Sequence, residues 1–112
     1  MRDGHSGFAG QAAEAVSVLK SISHEGRLLV LCYLSDAGEL SVGDLAERVG
    51  LSQSALSQHL AKLRAQGLVA TRKQAQTVYY RIVQPKVLTL LTVLQDLYCP
   101  ALSVAGAKGA RQ

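Results

Sequence analysis

The chain has 112 residues, 48% hydrophobic and 18% charged, a size and mix that suit one compact domain with short tails and exclude a multidomain enzyme or a disordered polymer. Its longest apolar run, Leu28 to Leu34, has seven residues, far fewer than the roughly 18 a membrane-spanning helix needs. The net charge of +4 is unevenly spread: Arg48 to Gln95 holds seven basic residues and no Asp or Glu, and the remainder holds five basic and eight acidic residues.

A +7 block inside a periodic region suits a polyanion, nucleic acid foremost. An ordinary solvated basic face gives the same sum, so charge alone leaves both readings open. The opening MRDGHSGF shows neither an apolar secretory core nor an Arg-rich transit pattern, which places the protein in the cytoplasm as an expectation. Cys32 and Cys99 are then expected as thiols rather than as a structural bridge.

In chain order, residues 1–8 and 101–112 read as flexible tails around a single domain over 9–99. A first helix is expected from about Ala9 to Ser21, with Ala12, Val16, Leu19 and Ile22 at helical spacing. Ser23 or His24 opens a second helix that Gly38 ends. Leu28, Leu29, Leu31, Cys32 and Leu34 make it apolar nearly all round, the pattern of a central buried helix.

Ser41-Val-Gly-Asp44 has the spacing of a capping box and starts a short third helix that stops at Gly50. Ser52 caps a fourth, SQSALSQHLAKLRAQG, with Leu56, Leu60 and Leu63 on one stripe and Gly67 at its end. The period then becomes strand-like. Leu68 to Lys73, a polar tip at Gln74-Ala-Gln76, and Thr77 to Val83 read as a β-hairpin, after which Pro85 starts a last helix with a wide apolar face. The expected fold is mainly α with a β-hairpin wing: four helices, the hairpin, and a fifth helix.

A short helix, a tight Gly-containing turn and a second helix is the helix-turn-helix pattern, in which the second helix enters the major groove. The DNA-binding candidates at the start of its polar face are Ser52, Gln53, Ser54, Ser57, Gln58 and His59, none of which carries negative charge, and of these Gln53, Ser54, Ser57 and Gln58 are expected to face outward. Ser52 is expected to cap the helix and touch phosphate, and Gln can pair with adenine in bidentate fashion. Arg72, Lys73, Gln74 and Gln76 at the hairpin tip are candidates for phosphate or minor-groove contact. Tyr79 and Tyr80 alternate faces, one toward the core and one away from it. No Gly-rich phosphate loop and no motif orienting Cys beside His is present, so neither an enzyme nor a cofactor is expected.

The run LSVGDLAERVGLSQSALSQHLAKLRAQGLVATRKQAQTVYYRI, preceded by LKSISHEGRLLVLCYL, resembles the ArsR/SmtB family of winged helix-turn-helix repressors over Val16 to Cys99. The resemblance implies a homodimer joined through the first and last helices, bound to an inverted-repeat operator in double-stranded DNA and released by an inducer. The apolar last helix, Lys86 to Tyr98, suits such a seam.

A metal box of this family reads ELCVCDL, whereas here Ser41 and Gly43 stand at the thiolate positions. The last helix has no His and only Asp96, and His5, His24 and His59 lack ligand spacing, so no metal is expected. Cys32 in LLVLCYL and Cys99 in LQDLYCP resemble the pair of the branch that senses reactive sulfur species, which implies a reversible link between them. Each also has a plainer reading as a buried core residue. The DAGEL connection is about one residue longer than in that branch. The competing functions are a metal-responsive or constitutive regulator and a winged-helix protein-interaction module.

Overall fold

The computed structural model describes residues 3–98, with the side chains from residue 7 onward. Its elements are α1 (Asp3–Ile22), α2 (Glu25–Ala37), β1 (Leu40–Ser41), α3 (Val42–Val49), α4 (Gln53–Ala65), β2 (Val69–Gln74), β3 (Thr77–Ile82) and α5 (Pro85–Tyr98). The expected winged helix-turn-helix order is present, with two differences. Helix α1 begins at Asp3 rather than near Ala9. Once a helix is nucleated each further residue is fixed for one added hydrogen bond, so it propagates past the apolar stripe that announced it. The hairpin also gains a third strand, β1, whose two residues are too few to leave a period in the sequence.

Local chemistry sets the helix ends. His24 is extended and its Nδ1 accepts from the Gly26 amide at 3.1 Å, opening α2. The Ser41 and Ser52 hydroxyl oxygens accept from the amides of Asp44 and Ala55, each at 3.1 Å, and so satisfy first-turn donors of α3 and α4. Between these helices Gly50 takes φ +77, a left-handed conformation that a side chain disfavours, and returns its amide to Ala46. The resulting turn of Gly50, Leu51 and Ser52 sets α4 across α3.

The core forms around α2, whose Val30, Leu31, Cys32 and Leu34 are buried. Packed onto it are Ile22 of α1, Leu45 of α3, Leu56, Leu60 and Leu63 of α4, Leu68 and Val69 at the start of the hairpin, and Val87 and Leu91 of α5. The sheet order is β1-β3-β2, antiparallel throughout, with Leu40 opposite Tyr80 and Arg72 opposite Tyr79. Ser41 therefore serves twice, as a strand residue and as the α3 cap. Helices α1 and α5 lie at the margin, linked by the exposed ion pair of Glu14 and Lys86 at 2.8 Å.

Candidate nucleic-acid interface

Helix α4 is fixed from behind and open in front. Leu56, Leu60 and Leu63 are at most 1% exposed, so the helix cannot roll without unpacking three leucines. Gln53, Ser54, Ser57 and Gln58 stand exposed on its N-terminal half. Between them they offer amide and hydroxyl groups able to donate and accept, at the helix end whose dipole favours an anion. Ser52, also exposed, gives its oxygen to the Ala55 amide. Capping is thus its established use, and its hydroxyl proton stays available to a phosphate.

His59 does not stand with this group. It follows Leu56 by three residues and precedes Leu63 by four, which puts it on the flank of the apolar stripe. The structure turns it toward α2, with its ring centroid 4.6 Å from that of His24. Its Nε2 lies 2.8 Å from where a Cβ on Gly26 would be. Burial first, then the charges of His24, Arg27 and Lys62, hold its pKa below the ordinary 6.5. The His24 and His59 contact brings the start of α2 against the middle of α4.

The wing candidates also divide. Arg72 forms a two-bonded pair with Glu39, Nε to Oε2 and Nη2 to Oε1 at 2.8 Å each. Its Nη1 donates to Gln74 Oε1 at 2.8 Å, and its guanidinium lies 4.5 Å from the centre of the Tyr79 ring. The Arg72 hydrogen bond is the main cause holding the Glu39 carboxyl below its usual range. Arg72 and Gln74 are thus committed to fixing the wing beside β1, while Lys73 and Gln76 stand exposed. Tyr80 packs against the core and Tyr79 takes the Arg72 side, as their alternation required. Glu39 was not singled out in the sequence, because its partner is 33 residues away and no local spacing links them.

Cys32 is buried in the α2 core at 7% exposure. Cys99 lies outside the described residues. Among the described residues no group of three or more His, Cys, Asp or Glu side chains comes together, and no helix is long and apolar enough to cross a membrane.

Residues 24–71 match the family model for bacterial regulatory proteins of the arsR family. The transcriptional activator HlyU of Vibrio cholerae is 54% identical over 90 residues, covering 80% of this chain and 82% of the relative. The biofilm growth-associated repressor of Xylella fastidiosa is 38% identical over 89 residues, covering 80% and 77%. Among solved structures, reduced HlyU from Vibrio cholerae matches with a TM-score of 0.79 at 52% identity, covering 82% of this chain and 96% of that one. The transcriptional repressor BigR from Xylella fastidiosa matches at 0.78 and 36% identity, covering 84% and 95%. These relatives are named as regulators of transcription and not as enzymes. With its winged helix-turn-helix and these likenesses along most of its length, the chain belongs to the arsR family of bacterial regulatory proteins.

Proposed function

We propose that the chain is a cytoplasmic, DNA-binding transcriptional repressor that acts as a homodimer on an inverted-repeat operator. The observation that carries this reading is the exposed, acid-free face of Gln53, Ser54, Ser57 and Gln58, held rigid by three buried leucines. Lys73 and Gln76 of the wing lie in the same +7 segment and add reach to the backbone. The second copy is supported by apolar side chains left exposed on the marginal helices: Val16 and Leu19 of α1, and Val93, Leu97 and Tyr98 of α5. A groove of about 420 Å³ between these helices, lined by Val18, Leu19 and Leu90 among others, is available to the partner.

Release is assigned to thiol chemistry at Cys32 and Cys99. The Cys32 thiolate attacks the outer sulfur of an organic persulfide, R–S–SH, becoming a cysteine persulfide as R–S⁻ leaves. The Cys99 thiolate then attacks the inner sulfur of that persulfide, forming a disulfide and releasing hydrosulfide. Further sulfur transfers before closure leave a polysulfide bridge instead. Burial of Cys32 limits access to its sulfur, which favours a small sulfur donor. A bridge from α2 to the end of α5 would couple the core to the dimer seam and change the spacing of the two α4 helices.

Two experiments test the two halves. Titration of an operator duplex at several salt concentrations should show affinity falling steeply with salt and a preference over scrambled sequence; a chain that ignores DNA at low salt is a protein-interaction module. Intact-mass spectrometry after organic persulfide, with hydrogen peroxide in parallel, should show whole sulfur atoms or loss of two hydrogens, together with loss of both thiols. A Cys99→Ser variant that still releases operator on persulfide treatment would refute the bridge.

A further inference from the structure

Away from the reading face, α1, α2 and α4 enclose a cationic pocket of about 290 Å³. Lys20 from the last turn of α1, Arg27 from the first turn of α2 and Lys62 from the last turns of α4 line it. Ser17, Ser21 and Gln66 add two hydroxyls and an amide. No carboxylate lines it, and among the described residues none of the three cations has an ion-pair partner. Three positive side chains lining one hollow make it a place where an anion is favoured. Two of them, Arg27 and Lys62, already act on His59, lowering its pKa after burial and His24 have done so.

A second feature points the same way. Arg27 Nε is buried and donates to nothing among the described residues, so no protein acceptor holds the guanidinium at that atom. Each hydroxyl proton has an acceptor within the fold: Ser17 Oγ donates to Gln66 Oε1 at 3.4 Å and Ser21 Oγ donates to the Ser17 carbonyl at 3.1 Å. Arg27 sits at the positive end of the α2 dipole, where anions are favoured. A water occupies about 30 Å³, so the pocket admits a small oxyanion with part of its hydration shell.

We propose that this pocket binds one tetrahedral oxyanion of the phosphate class, held by the Arg27 guanidinium and the Lys20 and Lys62 ammonium groups. The occupant is either a phosphate of the DNA backbone or a free inorganic or metabolite oxyanion, for the chemistry is the same. Such a ligand would tie the end of α1 to α2 and α4, joining the marginal helix to the reading helix through one ion.

The test is a titration of the DNA-free protein with inorganic phosphate at constant ionic strength, against sodium chloride, followed by ¹H–¹⁵N NMR. Saturable shifts at the Ser17, Ser21 and Arg27 amides and at the Arg27 Nε–H are expected. Lys20→Gln and Lys62→Gln, both at exposed positions, should each weaken binding roughly three- to tenfold. Shifts no different from those in chloride, or an affinity untouched by both substitutions, would overturn the proposal. With a labelled operator present, phosphate that displaces the duplex identifies a backbone phosphate as the natural occupant, and phosphate that binds beside it identifies a free oxyanion. Because the first titration contains no DNA, failure of operator binding would leave its result standing.

Discussion

Helices α4 and α5 are of similar length, 13 and 14 residues with three and five leucines, yet the fold uses them differently. In α4 the three stripe leucines vanish into the core and no large apolar side chain is left exposed. In α5 only Val87 and Leu91 are buried, and Leu88, Val93 and Leu97 remain exposed. A helix whose apolar residues match what its own core can cover has a free polar face to offer a ligand. One whose apolar surface exceeds that cover leaves apolar side chains in solvent, which supports the proposed second copy.

This contrast breaks or holds on substitution. Leu60→Ala should cost about 2 to 5 kcal/mol in urea denaturation, because it opens a cavity in a closed core. Leu97→Asp should leave a folded chain and shift it from dimer to monomer in sedimentation. If it unfolds the protein as Leu60→Ala does, α5 is core and the distinction fails.

The contact between α2 and α4 is sharpened by Gly26. In an ordinary helix interior Gly→Ala stabilises by about 0.5 to 1 kcal/mol. Here the new Cβ would meet His59 Nε2 at 2.8 Å, so Gly26→Ala should instead destabilise, by about 1 to 2 kcal/mol. Adding His59→Ala should recover part of that loss, and strict additivity in the double-mutant cycle would show that the two do not interact.

The same pair gives a pH signature. With its folded pKa held below 6.5, His59 binds a proton more readily in the unfolded chain. Stability should therefore be full above about pH 6.5 and decline as pH falls from there through the lowered folded value. His59→Gln should flatten that decline in thermal melts, and an unchanged profile would remove His59 from the coupling.

The smallest effect is expected at the wing tip. Ala75 has φ +55, a left-handed conformation that costs an L side chain energy. Ala75→Gly should raise stability by about 0.5 kcal/mol, the relief of strain being partly offset by the entropy of glycine. A loss on this substitution would mean the turn is held by something other than its backbone preference.

Much of this architecture was legible before folding. The stripe at Leu56, Leu60 and Leu63, the serine caps at Ser41 and Ser52, and the change to period two after Leu68 are local signals, each carried within a few residues. So were the exposed positions of Gln53, Ser54, Ser57 and Gln58, and the flank position of His59 between Leu56 and Leu63 was carried by the same spacing. The start of α1 and the two-residue β1 were not legible, because propagation and strand pairing need no local pattern of their own.

The sequence by itself determined which segments form helices, apart from where α1 begins, where α2, α3 and α4 are capped, which stripe of α4 is apolar, and that the chain carries a basic segment suited to a polyanion. These follow from side-chain size, periodicity and hydrogen bonding among neighbours. The tertiary structure alone decided that Arg72 belongs to Glu39, that His59 faces His24 and Gly26, and that Lys20, Arg27 and Lys62 surround one pocket. Each joins residues far apart in the chain, and such pairings depend on how helices and strands pack rather than on what any one of them prefers.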